Sequence, residues 1–488
     1  MTVRLRVVIA VTALAAALGG CTLAPRYRRP ETPPPAAAYK ELADWKLATP
    51  SDAVPRGAWW SIFGDATLDA LEAEAGGANQ NLKAALARLE AARAQTRIAR
   101  SAYLPSIAAS ANATRSKPST NSPFYPGGPP ATGNDFVLAG ELSYELDLFG
   151  RVRSTVSGAR ASMQASQGDL AALDLDVRAE LATDYFSLRG LDAALELLDR
   201  TVADYAKALT LTSNRYRGGA AAVADVEQAK AQLETAKTQA EETRLRRAQT
   251  EHAIAVLVGQ PASAFALEPR PLPPGLAPPA LDPGLPSALL ERRPDVAAAE
   301  RRVAAANAGI GAARAAYFPV FTLAGSGGWD SVSSTDWIQA PSRFWSAGPQ
   351  AVLSLFDAGR LRAQSAAARA AYDEQAANYR RTVLTAYREV EDNLVALKQL
   401  ARESESQAAA VAATQAALEQ EQLRYQGGII TYLEVVSAEN AALAARLAAV
   451  DIQTRRIAAG VLLVRALGGG WSAAAALPAG SASAAATR

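Results

Sequence analysis

Histidine and cysteine are nearly absent from this chain of 488 residues, which contains one of each, His252 and Cys21. Zinc, iron–sulfur, Cys–His and Ser–His–Asp sites all need more of these side chains than the chain has. An enzyme that uses carboxylates alone stays open, but no constellation of residues points to one. His252 lies in a helical pattern, where a surface or packing role is the simplest. The sequence therefore predicts neither a catalytic centre, nor a metal site, nor a bound cofactor.

A surplus of one charge sign is also missing, because 50 Lys and Arg stand against 48 Asp and Glu. This balance argues against a nucleic-acid surface. Long apolar runs are missing as well. The longest near the start, Val7–Leu18, is too short to span a bilayer as a mature helix.

The first twenty residues have the pattern of a secretory signal: Arg4 and Arg6, the apolar run, and two small residues before Cys21. The end of this segment resembles a bacterial lipobox, in which the cysteine thiol accepts diacylglycerol before cleavage. An incidental lone cysteine is the alternative. Thr22 follows where an Asp would retain a lipoprotein in the inner membrane, so the outer membrane is favoured.

One short motif occurs twice, as Arg215-Tyr216-Arg217-Gly218-Gly219 and Arg424-Tyr425-Gln426-Gly427-Gly428. A heptad stripe of apolar residues precedes each copy, and a second helical pattern follows it. The glycines supply the left-handed backbone that ends one helix and reverses the chain. The pattern predicts two antiparallel hairpins with helices of about 60 residues, long enough to line a conduit. A rod-like coiled-coil spacer is the alternative.

Two pairs of segments alternate with a period of two, which is typical of strands. In the first pair, Ser106–Ser116 and Asp135–Asp147, the second segment has carboxylates on one face and aromatics on the other. Such a face pattern fits a transmembrane strand beside a wet lumen, although a soluble hairpin remains possible for this pair alone. Val320–Trp329 and Phe344–Phe356 form a second pair at an equivalent place.

The order of helix, strand pair and hairpin therefore occurs twice, which argues for duplication and internal pseudo-symmetry. The predicted divisions are a signal peptide (1–20), a lipidated Cys21 with an extended tether (21–58), a first repeat (59–260) with strand pair 106–147 and hairpin 158–258, a Pro-rich crossover (261–286), a second repeat (287–470) with strand pair 320–356 and hairpin 361–467, and a disordered tail (471–488).

The segment from Leu289 to Val296, read Leu-Leu-Glu-Arg-Arg-Pro-Asp-Val, is the most specific motif in the chain. Together with both tips, Cys21 and the paired strand exits, it resembles the outer-membrane efflux factors, the TolC-like proteins, and among them the OprM/NodT-type lipoproteins. The resemblance covers essentially the whole mature chain.

This resemblance implies a mainly α-helical protein with a membrane β-barrel. In such a protein, four strands from each copy of a homotrimer close a twelve-stranded barrel, and the hairpins form a periplasmic α-barrel. The sequence independently predicts an oligomer, since four strands alone cannot close a barrel and lipid tolerates no open strand edge.

The resemblance also implies a periplasmic aperture, closed by a network at the tips. Tyr425 matches a tip tyrosine whose hydroxyl bonds to an acidic partner, here Asp225, and Leu433 matches an apolar constriction. Glu434 stands at the position of one ring aspartate, although a solvated helix carboxylate is an equal interpretation, and Ser437 replaces the second.

The position of an arginine link is occupied by Ile430, so that link is absent. The tips themselves are expected to contact a periplasmic adaptor. The tip residues are Arg215, Tyr216, Gly218, Gly219, Arg424, Gly427 and Gly428.

The resulting hypothesis is a passive outer-membrane exit duct for small molecules, such as drugs or toxic compounds. Its partners would be a periplasmic membrane-fusion adaptor and an inner-membrane transporter of the RND type. Two alternatives remain: a duct for type I protein secretion, with the same fold, and a structural coiled-coil lipoprotein or adhesin. The sequence does not indicate the exported compound or the partner pump.

Overall fold

The structure is a computed structural model and describes residues 23–34, 39–42, 58–121, 132–279 and 292–469. The signal segment, Cys21 and the tail 471–488 lie outside the described residues. Long helices and an antiparallel sheet make up the described chain, as the sequence predicts. The elements are α1 (Ala66–Ala78), α2 (Gln80–Ser101), β1 (Ser106–Ser116), β2 (Gly133–Leu146), α3 (Arg151–Arg217), α4 (Val223–Leu257), α5 (Pro294–Ala315), β3 (Val320–Ser331), β4 (Arg343–Val352), α6 (Arg360–Gln426) and α7 (Tyr432–Ala466).

Both α3 and α6 are 67 residues long. The first of them begins at a cap that apolar periodicity does not reveal. The Asp147 carboxylate accepts the backbone N–H groups of Val152 and Arg153 at 2.9 and 2.8 Å, which starts α3 at Arg151 rather than near Gly158. Such a carboxylate satisfies donors that the first helical turn otherwise leaves unpaired. Among the described residues, no helix is both long enough and apolar enough to cross a membrane.

One compact unit has its described residues within Met1–Glu31, Arg88–Ser166 and Ala298–Arg380. It contains a four-stranded sheet in the order β1-β2-β3-β4, with every neighbouring pair antiparallel. The central β2–β3 pairing joins the two sequence repeats, with Gly140 opposite Gly327. Within the described chain, β1 and β4 each have a strand neighbour on one side only.

The second strand pair is shorter than the sequence predicts, because β4 ends at Val352 and not at Phe356. The four residues after Val352 lead into the cap of α6, where the Asp357 carboxylate accepts the Leu361 N–H at 3.0 Å. At the exit of β2, Phe149 stacks on Phe318 at the entrance of β3, with ring centroids 4.7 Å apart.

The other compact unit has its described residues within Thr32–Ala87, Gln167–Ala297 and Arg381–Arg488. Its main core packs Trp59 against residues of α1, α3, α4 and α7, including Leu181, Ile254 and Ile457. Part of the most specific sequence motif contributes a buried ion cluster to this unit. The Arg293 guanidinium bonds to Asp295 and to Glu389, both at 2.7 Å, and so connects α5 to α6. Helix α5 starts at Pro294, because proline lacks the N–H that a first helical position leaves unpaired.

The sequence predicts an extended tether for residues 21–58, and the described parts of that segment pack against helices. In the first unit, the Asn307 amide donates to the Pro25 carbonyl at 2.9 Å, and Arg29 pairs with Glu300 at 2.9 Å. Gly311 makes room for this contact, because a Cβ there would lie 2.5 Å from the Ala24 Cβ.

Candidate functional site: the tips of the two helical hairpins

The first tip reverses the chain between α3 and α4 through a Schellman motif. The N–H of Gly219 donates to the Tyr216 carbonyl at 2.9 Å, and the N–H of Ala220 donates to the Arg215 carbonyl at 2.8 Å. Gly219 has φ +76°, a left-handed conformation that suits glycine. Gly218 has no positive φ, so only the second glycine of the pair supplies the reversal.

The second tip repeats this geometry between α6 and α7. The N–H of Gly428 donates to the Tyr425 carbonyl at 3.0 Å, and the N–H of Ile429 donates to the Arg424 carbonyl at 2.9 Å. Gly428 has φ +73°. The two copies of the sequence motif therefore form two equivalent backbone turns.

The tyrosines at the two equivalent turns have different surroundings. Tyr216 is 47% exposed, whereas Tyr425 is only 8% exposed. Tyr425 lies in a small apolar cluster between the hairpins, and its ring centroid is 5.4 Å from that of Tyr432. The other members of this tip cluster are Ala229, Val435, Leu209, Ile430 and Val436.

The expected hydrogen bond between Tyr425 and Asp225 is not formed, and that part of the sequence prediction was wrong. The Asp225 carboxylate accepts the Ala222 N–H at 3.3 Å, at the start of its own helix α4. The Tyr425 hydroxyl is buried and has no hydrogen-bond partner among the described residues. A carboxylate at the third position of a helix bonds readily to the cap residue, and this local bond competes with one across the hairpins.

The contact partner of Tyr425 across the hairpins is Arg215. Its guanidinium carbon lies 4.5 Å from the Tyr425 ring centroid, and its Nη1 donates to the Tyr425 carbonyl at 3.5 Å. The equivalent arginine, Arg424, stays on its own helix and pairs with Glu421 at 3.1 Å. Arg215 was predicted only to contact the adaptor, because a single sequence does not indicate which arginine reaches across.

The three aperture candidates at the start of α7 lie close together in sequence and are exposed: Leu433, Glu434 and Ser437. Glu434 occupies the position in α7 that Asp225 occupies in α4, and it accepts a hydrogen bond from the Thr431 hydroxyl. This bond lowers the pKa of the Glu434 carboxyl below its ordinary value. The Ser437 hydroxyl donates to the Leu433 carbonyl at 2.9 Å, on its own helix.

A polar layer next to the tip cluster was not found from the sequence. The Gln232 amide donates to the Asn440 Oδ1 at 2.7 Å, and the Asn440 amide donates back to the Gln232 Oε1 at 3.3 Å. Gln232 also donates to the Tyr205 hydroxyl at 3.1 Å, so the layer connects α3, α4 and α7. In the sequence, the signal that could have revealed this layer is the presence of two amide side chains within helices of apolar periodicity.

Glu439 lies in the same region with a buried Oε2 that has no hydrogen-bond partner among the described residues. Burial, and then the charge of Asp204, raise the pKa of the Glu439 carboxyl to about 7. In the described part of the chain, no group of three or more His, Cys, Asp or Glu could hold a metal ion.

Comparison with known proteins identifies the family. The sequence profile of the family "Outer membrane efflux protein" matches residues 73–260 and 285–469, one match in each repeat. The chain is 35% identical to outer membrane protein OprJ of Pseudomonas aeruginosa, over 94% of this chain and 95% of that protein. It is 34% identical to the toluene efflux pump outer membrane protein TtgF of Pseudomonas putida, over 94% of this chain and 96% of that protein.

Among solved structures, the CmeC outer membrane channel of Campylobacter jejuni superposes with a TM-score of 0.87 at 27% identity, over 93% of this chain and 96% of that one. The family profile covers most of the chain, and the relatives match it over nearly its whole length. The chain therefore belongs to the outer membrane efflux protein family: it is a non-enzymatic, TolC-like channel of the Gram-negative outer membrane.

Proposed function

We propose that three copies of this chain form the exit duct of a tripartite efflux pump of the RND type. The duct conducts small molecules passively, and a periplasmic membrane-fusion adaptor and an inner-membrane RND transporter supply coupling and energy. The observation that carries this proposal is the pair of tips brought together around Tyr425, beside exposed aperture residues. The toluene efflux named for one relative supports small organic molecules as the exported class.

Assembly from several copies is supported by the edges of the sheet. Strands β1 and β4 each leave one edge without a neighbour in the described chain, and lipid tolerates no such edge. Pseudo-symmetry indicates how the edges join. The contact of Phe149 with Phe318 links repeat one to repeat two, and the equivalent residues Phe356 and Leu104 are 89% and 71% exposed. We propose that Phe356 packs against Leu104 of the next copy, so that twelve strands close the barrel.

The tips are proposed as the periplasmic aperture and the adaptor contact. In a trimer, the exposed Leu433 and Glu434 side chains would form an apolar ring and an acidic ring, and Ser437 would weaken the acidic one. The adaptor would contact the turns. The proposed contact residues are Arg215, Tyr216, Gly218, Gly219, Arg424, Gly427 and Gly428.

The membrane anchor is proposed from the sequence alone. Residues 1–20 are removed as a signal peptide, and Cys21 carries diacylglycerol and an N-linked acyl chain. Two or three acyl chains are enough for stable anchoring. The Cys21→Ser variant should lose the lipid mass, and an acylated Cys21→Ser product would exclude this anchor.

Reconstitution of the purified full-length protein in planar bilayers tests the channel. The proposal predicts a trimeric mass in detergent and discrete conductance steps. A monomeric mass without conductance steps would overturn it.

A further inference from the structure

The two tips have equivalent backbones, but their arginines make different contacts. Arg424 pairs with Glu421 on its own helix, whereas Arg215 crosses from the first hairpin to the second. In the part of the chain that the structure describes, Arg215 has no carboxylate partner. Its guanidinium instead contacts the ring of Tyr425 and donates a hydrogen bond to the Tyr425 carbonyl.

Two physical effects make this contact attractive. A guanidinium placed over an aromatic face is drawn to the negative charge of the ring, and a separation of 4.5 Å lies within the effective range. Tyr425 also lies in the last turn of α6, where the carbonyl end of the helix carries partial negative charge. Arg215 itself lies in the last turn of α3, so two negative helix ends meet there. A cation placed between these two helix ends is attracted to both of them.

Arg215 also lies against the buried ring of Tyr425. Arg215 covers one face of the ring, while Tyr432 and the rest of the tip cluster pack around it. Tyr216 stays half exposed, and the equivalent arginine, Arg424, pairs on its own helix instead of crossing to it. Because the Tyr425 hydroxyl has no hydrogen-bond partner in the described part of the chain, the ring rather than the hydroxyl makes the contact with the other hairpin.

We infer that Arg215 is the latch of the resting aperture: a positioning residue that holds the tip of the second hairpin against the first through the ring and carbonyl of Tyr425. Opening then requires the Arg215 guanidinium to leave the ring, and a partner docked at the tips could offer it a carboxylate instead. This inference rests on the proposed function, because a latch has meaning only in a conducting channel.

The test is single-channel recording of the purified full-length trimer and its variants in planar bilayers, without adaptor. Arg215→Gln should raise the occupancy of the open state about five- to tenfold. A fold-change of this size corresponds to the loss of one partly buried cation–π contact. Arg215→Lys keeps the cation, and its open-state occupancy should lie between those of the wild type and Arg215→Gln. Arg217→Gln is the matched control, because Arg217 bonds to Asn214 on its own helix.

A second pair of variants makes the test independent of how Arg215→Gln folds. Tyr425→Leu removes the ring and should open the channel as Arg215→Gln does, whereas Tyr425→Phe keeps the ring and should open the channel much less. The double variant Arg215→Gln/Tyr425→Leu should open no further than either single one. Equal occupancy in Tyr425→Leu and wild type, or opening by Tyr425→Phe as large as by Tyr425→Leu, would overturn the latch. A wild-type protein that never conducts would instead count against the proposed function.

Discussion

Gln232 and Asn440 face each other as an amide pair between α4 and α7, with bonds of 2.7 and 3.3 Å in the two directions. Gln232 is buried, so the exposed Asn440 side chain satisfies a polar group that water hardly reaches. The pair connects the two hairpins next to the tip cluster.

Replacing one amide of this pair should cost more than replacing both. Asn440→Leu leaves the buried Gln232 amide without this partner, at a cost of about 1–3 kcal/mol in stability. The double variant Gln232→Leu/Asn440→Leu removes both polar groups and should be nearly neutral. Hydrogen exchange of the α4 and α7 amides measures the difference, and equal effects of the single and double variants would contradict the account.

Glu439 should make the hairpins less stable as pH rises. Its pKa is raised from 4.5 to about 7 by burial and by Asp204, so the folded state favours the protonated carboxyl. The stability that Glu439 contributes is therefore fully present below about pH 4.5 and is lost as pH rises through about 7. Tyr205 on α3 and Tyr432 on α7 face the same carboxyl, and neither offers a positive charge.

Hydrogen exchange of α3 and α7 at pH 5 and at pH 8 measures this effect. Glu439→Gln should remove most of the difference in protection between pH 5 and pH 8. Glu227→Gln, at an exposed position on α4, is the matched control and should leave the difference in place. A difference that survives in Glu439→Gln would assign the pH effect to another group.

The two glycines of the second tip should respond differently to alanine. Gly428 has φ +73°, so Gly428→Ala should strain the turn by about 1–2 kcal/mol. At Gly427 a Cβ would meet its nearest neighbours at 3.5 Å, an ordinary contact, so Gly427→Ala should be tolerated. Hydrogen exchange at the tip and binding of the adaptor check this, with trimer mass unchanged in both. Equal loss of adaptor binding in the two variants would show that the left-handed turn is not what matters.

Two glycines on α5 offer a similar comparison for the N-terminal segment. A Cβ at Gly311 would lie 2.5 Å from the Ala24 Cβ, whereas a Cβ at Gly309 would meet nothing within 4 Å. Gly311→Ala should displace the segment and speed tryptic cleavage near Arg29. Gly309→Ala should instead stabilise α5 by about 0.5–1 kcal/mol. Unchanged cleavage in Gly311→Ala would mean that the segment is held elsewhere.

The proposed junction between copies depends on the apolar surface of Phe356. Phe356→Asp should reduce the trimeric fraction in detergent, because it places a charge where the Leu104 side chain of the next copy is expected. Phe356→Leu keeps an apolar side chain and should assemble normally. Native mass measurement distinguishes them, and an Asp variant as trimeric as the wild type would refute this junction.

The repeat, the long helices, the strand pairs and the tip glycines could be predicted from the sequence, because each has a periodic or local signature. The cap at Asp147 was missed because its bonds start α3 before the apolar stripe does. The partner of Tyr425 could not be predicted, because the sequence fits both Asp225 and Arg215. Local geometry decides between them: the Asp225 carboxylate is bonded at the start of its own helix, whereas the Arg215 side chain reaches the Tyr425 carbonyl on the other hairpin. Glu439 carries no signature at all, since its state depends on burial between helices.

Susceptibility of a strain deleted for this protein, with and without the intact gene, tests the efflux duct most directly. The panel would span dyes, antibiotics, detergents, organic solvents and metal ions, with secreted proteins followed in parallel. The account predicts selective sensitivity to small molecules that the intact gene reverses. Normal resistance to the whole panel, together with the loss of one secreted protein, would contradict it and assign the same channel to protein secretion.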